Sequence, residues 1–286
     1  MRTSRPVLAV ALASAATLAF AGCSSSDDGD GAPAASGSAT DCTPEGMQTL
    51  TDGTLTVGAS DPFEPWYVGE PSTGEGFESA LVYAVADELG FAKEDVEWTS
   101  VTFEQIISPA VKPFDVAAYQ TTITDERKNA VDFSSPYLTS RQGVIVADEG
   151  EFSEAASLAD LKGAKIGVTA SQTSLAVADA AWGDDVEVTP FNAAGDGMTA
   201  LSSGTIDAMV MDVDQGVAAS TVYFPDTHVI GTLPPVGEPE QLGLVLDKGS
   251  SLTACVSAAV DTIEENGTLD ELRTTWLKSD DVPELS

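Results

Sequence analysis

A single arginine, Arg127, follows the apolar run Phe114-Asp115-Val116-Ala117-Ala118-Tyr119-Gln120 by seven residues. That run reads as a strand, so the arginine lies at the mouth of a sheet. A guanidinium presents planar N–H donors that match both oxygens of a carboxylate. Ligands of parallel α/β sheets sit beyond the carboxyl ends of the strands, and this chain puts several polar groups there. Ser60 and Phe63 follow the first strand, and Gln120 and Thr122 follow the last strand of that half. Ser171 and Thr173 stand where a helix opens after Lys165 to Thr169, and Asp212 ends another strand. Free N–H groups at the helix start, with the Thr173 hydroxyl, suit an anion. Asp212 suits an ammonium, Phe63 offers a flat apolar face, and Gln120 and Thr122 supply hydrogen bonds. The set fits a zwitterion, with Arg127 and the helix start on the carboxylate and Asp212 on the amine. Each residue also has a plainer use. Ser171 and Thr173 could serve only as a helix cap, Asp212 with Asp214 and Gly216 as a turn or calcium pattern, and Phe63 and Trp66 as core.

The elements that must hold these groups alternate strand and helix. Leu55 and Val57 alternate with Thr54 and Thr56, and Phe77, Leu81, Ala84, Val85 and Leu89 recur at helical spacing before Gly90. A strand at 96–99, a helix near 104–111 and the strand to Gln120 follow. The order recurs as strand 165–169, helix 173–181, strand 186–190, short helix 197–201 and strand 207–211. Two βαβαβ units imply two α/β lobes. A strand at 242–246 and two helices, the first striped by Leu252, Cys255, Val256, Ala259, Val260 and Ile263, end the chain.

The ends and the composition bound the setting. Arg2 and Arg5 precede an apolar run from Pro6 to Phe20, then Ala21-Gly22-Cys23. This reads as a signal peptide over 1–22, too short to span a bilayer as a helix. Residues 23–45 read as a lipidated Cys23 and a disordered tether. Asp27, Asp28 and Asp30 lack the glutamate that closes a calcium loop. Without the signal, about 264 residues remain, carrying ten basic and 46 acidic residues and a net charge of −36. Such a surface repels phosphate backbones and anionic membranes, so nucleic acid is excluded as a partner and a covalent lipid is the expected anchor. Cys42 and Cys255 form an even pair in an exported chain, and a disulfide is expected between them, with two free thiols as the alternative. No CxxC, HExxH or nucleophile elbow is present and His228 is the only histidine, so neither a metal, a cofactor nor catalytic residues are expected.

The run Ile123-Thr124-Asp125-Glu126-Arg127, with Val131-Asp132-Phe133-Ser134 and Pro136-Tyr137, resembles the ITxER…VDFSxPY signature of the family 3 extracellular solute-binding proteins. These are the amino-acid receptors of ABC importers. The likeness extends over about 50 to 280 through Gly76-Phe77-Glu78, Leu161-Lys162-Gly163, Gly204 to Asp207, Gly267-Thr268-Leu269 and Trp276. Ala21-Gly22-Cys23 likewise resembles a lipoprotein cleavage site. The resemblance implies a two-lobed periplasmic-binding-protein fold of type II, with a hinge between two mostly parallel sheets. Lobe 1 would comprise 46–145 and 239–286, and lobe 2 would comprise 146–238, so that Cys42 and Cys255 share a lobe. Hinge closure is expected about strands near 144–146 and 238–243. By position, Phe63 would pack over the ligand, Thr122 and Arg127 would hold its carboxylate with Thr173, Gln120 would add a polar contact, and Asp212 would hold its amine. Ser60 stands where members binding basic amino acids often carry an acid, and Ala80 replaces a second aspartate. The chain is then expected to be a monomeric, lipid-anchored receptor on the outer face of the cell membrane. It would capture a polar amino acid without covalent chemistry and deliver it to a permease with its ATPase. An enzyme on the same scaffold, as in dehydratase relatives, and a sensory lobe are the alternatives. The sensory lobe is disfavoured because no spanning segment follows to Ser286.

Overall fold

In the computed structural model, residues 41–286 are described. Cys23 and the signal and tether readings before residue 41 lie outside them. The first lobe begins with β1 (Leu55–Ala59), α1 (Phe77–Glu88), β2 (Val96–Ser100), α2 (Phe103–Ile107), β3 (Val116–Ala118) and β4 (Val131–Ser140). The second holds β5 (Gln142–Ala147), β6 (Lys165–Thr169), α3 (Ser174–Trp182), β7 (Glu187–Phe191), α4 (Ala194–Ser202), β8 (Ala208–Asp212), α5 (Val213–Ala218) and β9 (Thr227–Thr232). The chain returns through β10 (Glu240–Asp247), α6 (Thr253–Glu265) and α7 (Thr268–Trp276).

Each lobe has one five-stranded sheet, ordered β2-β1-β3-β10-β4 in the first and β7-β6-β8-β5-β9 in the second. The α/β two-lobed class is as expected, but the sheets are mixed. The βαβ units pair in parallel. The strands adjoining the crossings, β10 with β4 and β5 with its two neighbours, pair antiparallel. A strand arriving from the other lobe enters its sheet from the opposite end, which makes it antiparallel. The segment of β4 carries Pro136 and does not read as a strand. It forms one because β4 lies at a sheet edge, where a missing N–H costs little. Helix α2 stops at Ile107 rather than near 111. Thr102 and Gln105 close a capping box at its start, and Pro109 bars its extension.

The first lobe's main core gathers α1, α6 and the sheet around Phe77, Leu81, Leu244 and Val256. Two apolar clusters flank the second sheet, one around Val168 and Val210, the other around Met198 and Met209. Cys42 and Cys255 form a disulfide, with Cα atoms 5.4 Å apart, that ties the segment before β1 to α6.

Two boundaries differ from expectation. The first crossing is at Arg141, between β4 and β5, because residues 144–146 already pair with β8 inside the second sheet. The return crossing is at 233–239, ahead of β10. The C-terminal segment also does not stay with the first lobe. After α7 it runs to β9, where Thr232 N–H donates to Pro283 O at 2.8 Å and Leu285 N–H to Thr232 O at 2.9 Å. Leu285 is 2 % exposed within the second core. Gly231 makes the room, since a Cβ there would lie 2.6 Å from the Leu285 side chain. The driving force is burial of one leucine in an apolar gap. Arg141 clamps this third crossing by donating to Ser279 O and Val282 O at 2.9 and 3.1 Å.

Candidate functional site

The carboxyl ends of the parallel strands in both lobes face a cleft of about 450 Å³. Six of the eight predicted ligand-binding residues line it: Ser60, Phe63, Gln120, Thr122, Thr173 and Asp212. Arg127 and Ser171 do not. Arg127 is 8 % exposed. Its guanidinium donates to Thr122 O at 2.8 Å and, across the lobes, to Ser171 O at 3.1 Å, and lies 5.0 Å from the centre of the Phe103 ring. Burial pulls its pKa down, opposed by the charges of Glu240 and Glu126. The predicted free fork at the sheet mouth is therefore a cross-lobe tie in this structure. The carbonyl it meets is presented by Ser171 in a left-handed backbone conformation, φ +63°, which non-glycine residues adopt uncommonly.

The cap alternative for Thr173 is not what the fold uses. Helix α3 starts at Ser174, and the Thr173 hydroxyl makes no capping bond. Next to it, Ser174 Oγ is buried without a hydrogen-bond partner, although the residue lines the cleft. Sequence reading missed Ser174; its signal was adjacency to the helix start. Hydroxyls and N–H groups converge here where a helix dipole is positive. Phe63 packs against the cores of both lobes and stacks on Tyr223 at 5.2 Å between ring centres, whereas Trp66 is fully buried core.

Asp212 carries the strongest electrostatic tension. Its carboxylate accepts from the Ser140 hydroxyl of the first lobe and from Asp214 N–H at 3.1 Å. Among the described residues no cation pairs with it. The residue keeps partial access to the cleft, but its carboxyl is enclosed by protein. Burial first, then the Asp214 charge, push it up to about 8, against the two hydrogen bonds. Among the described residues, no cluster of three or more His, Cys, Asp or Glu is placed to hold a metal.

Beneath the first lobe's wall lies Glu78, fully buried at the start of α1. It accepts from Gln120 N–H at 2.7 Å and the Tyr137 hydroxyl at 2.5 Å, and from the Gln120 side-chain amide. Burial pushes Glu78 up to about 6 despite these donors. Gln120 is left-handed at φ +44°, and the two bonds to Glu78 hold it there. Sequence reading left Glu78 unassigned because its partners are 42 and 59 positions away.

Against this geometry stand the likenesses to known proteins. Residues 55–279 match the bacterial extracellular solute-binding proteins, family 3. The chain belongs to that family. It is 28 % identical over 238 residues to the L-cystine-binding protein TcyJ of Escherichia coli K12, covering 80 % of this chain and 84 % of that one. It is 26 % identical over 247 residues to an L-arginine-binding protein of Pseudomonas aeruginosa, covering 80 % and 90 %. Among solved structures, an ancestral arginine-binding protein bound to arginine superposes with a TM-score of 0.65 at 32 % identity, covering 79 % of this chain and 99 % of that one. An ancestral amino-acid-binding protein described as a precursor of cyclohexadienyl dehydratase gives 0.65 at 29 %, covering 79 % and 96 %. This family 3 chain therefore shares its fold with amino-acid-binding proteins.

The raised Asp212 makes a sign-definite prediction for the empty protein. Below the ordinary aspartate value both folded and unfolded chains are protonated, so nothing is gained or lost. From about 4 up to about 8 the folded chain must keep a proton the unfolded chain has shed, and stability falls as pH rises. Asp212→Asn removes that cost. The variant should melt higher than the wild type by a margin that widens from pH 4 to pH 8 and then levels. The margin should be on the order of 1–3 kcal/mol after allowing for access to solvent. Thermal unfolding across pH checks it, and a pH-independent difference would contradict it.

Proposed function

We propose that the chain is the receptor of an amino-acid ABC importer, binding a free polar amino acid in the cleft by closure of the two lobes. The observation that carries this is a pair of opposite unmet needs on one lobe. Among the described residues Asp212 has no cation, and Ser174 Oγ, at the start of α3, is buried without a hydrogen-bond partner. An α-ammonium and an α-carboxylate satisfy both at once. Ammonium binding restores the Asp212 charge that burial suppresses. The carboxylate meets the α3 N-terminus, and Arg127 exchanges the Ser171 carbonyl for it at the seam of the lobes. Phe63, stacked on Tyr223, lines the same cleft. Hinge motion then passes through Arg141 and residues 233–239, with the C-terminal strap moving alongside.

The chemistry needs no nucleophile or redox centre, so we read the protein as a receptor rather than an enzyme. The names of its relatives, cystine-, arginine- and glutamine-binding proteins, support an amino acid as ligand. Attachment by a lipid on Cys23 to the outer face of the membrane, action as a monomer, and hand-over to a permease and its ATPase complete the proposal.

A thermal-shift screen of the amino acids on the mature protein comes first, because a ligand of the native state stabilises it by RT ln(1 + [L]/Kd). With the best ligand, Arg127→Ala and Asp212→Asn should each weaken binding by roughly 30- to 5000-fold in titration calorimetry, the range for one member of a buried charge pair. Undiminished binding by Asp212→Asn places the amine elsewhere and contradicts the zwitterion site. For the anchor, Cys23→Ala should move the protein from the membrane fraction to the medium or soluble fraction. Identical partitioning of variant and wild type sinks the lipid.

A further inference from the structure

We propose that Glu78, which does not touch the cleft, sets the receptor's side-chain selectivity through Gln120, so that the bound amino acid must carry an N–H or O–H donor on its side chain and not a carboxylate. The proposal deepens the amino-acid reading and rests on it.

Glu78 is 0 % exposed. One of its oxygens is taken by Gln120 N–H and the Tyr137 hydroxyl, and the other by the Gln120 side-chain amide. An ionised carboxylate only accepts hydrogen bonds, so the amide must turn its NH₂ inward and its carbonyl Oε1 outward. That Oε1 meets no donor among the described residues, and it is not a buried, unpaired atom. Gln120 lines the cleft, so the cleft is where Oε1 is free. The residue cannot swing away easily, because Glu78 also fixes its left-handed backbone.

The surroundings point the same way. Asp61 and Glu104 also line the cleft, and no Lys, Arg or His among the described residues does. After burial, the charges of these two carboxylates are the next causes raising the Tyr119 hydroxyl, so both lie near that ring. With Asp212 committed to the α-ammonium and Arg127 to the α-carboxylate, a side-chain carboxylate would meet no cation and would face the Gln120 carbonyl. An amide, ammonium or guanidinium would instead donate to it. A polar atom desolvated without a partner costs roughly 10- to 100-fold in affinity.

The test is titration calorimetry of the whole mature chain against the twenty amino acids at pH 7.5. The tightest ligand should bear a side-chain donor and bind at least tenfold more tightly than L-glutamate. Glu78→Gln should shrink that ratio about tenfold or more, because a glutamine can donate to Gln120 Oε1 and release its NH₂ toward the cleft. A wild-type preference for L-glutamate, L-aspartate or an apolar amino acid overturns the proposal, as does an unchanged ratio in a folded Glu78→Gln. Should that variant not fold, the wild type is titrated at pH 5.3 as well. Protonated Glu78 can then donate, so the ratio should fall, and a constant ratio overturns the proposal. Asp212 titrates too, but it acts on the α-amine common to all ligands and cancels in the ratio. Tyr67, Tyr119 and Tyr137, the other titratable groups around Glu78, are all held protonated above their ordinary value. If no amino acid binds, the receptor reading fails and takes this one with it. If amino acids bind with acidic ones preferred, only this inference fails.

Discussion

The structure turns on a carboxylate held where carboxylates do not ordinarily stay charged. Asp212 ends the central β8, is covered by Ser140 of the other lobe, shares its site with Asp214 and has no cation beside it among the described residues. Burying an unpaired charge is expensive, so the empty protein keeps a proton there. In the proposed function the missing cation arrives from solution as the ammonium of the ligand. The mixed sheets bring strand ends from both lobes to one cleft. The start of α3, through Thr173 and Ser174, lines the same cleft as Asp212.

A second buried carboxylate does a different job. Glu78 meets three donors, and burial has pushed it only to about 6. It behaves as a fixed acceptor that orients Gln120 and, through it, the wall of the first lobe. The two buried acids differ because Glu78 meets three donors, whereas Asp212 meets two and lies beside the charge of Asp214.

Much of this was legible in the sequence where a feature depends on local pattern. The alternation of strand and helix marked both βαβαβ units, and strand-end positions found Ser60, Phe63, Gln120, Thr122, Thr173 and Asp212 in the cleft. The even cysteine pair anticipated the bridge that the structure contains. What escaped depends on distant partners. Arg127 donates to Thr122 O and to Ser171 O of the other lobe, 44 positions away, and no local signal pairs those two. Glu78 reads as an ordinary helix-start acid until β3 and β4 are placed over it. The strap of residues 279–286 looked like the end of the first lobe because no local signal says which core Leu285 will enter. Pro136 hid a strand, since its tolerance at that position follows from β4 lying at the sheet edge.

The central claim is that the cleft recognises the zwitterionic backbone of a free amino acid, amine and carboxylate together. Comparing the best ligand of the mature protein with its N-acetyl and its C-terminal amide derivatives, by calorimetry at one pH, tests it most directly. Each modification removes one charge and leaves the side chain intact. The account predicts that both derivatives bind at least 30-fold more weakly than the parent, in line with the loss of one member of a buried charge pair. Equal binding of the N-acetyl derivative would contradict it, because Asp212 would then have no ammonium to receive.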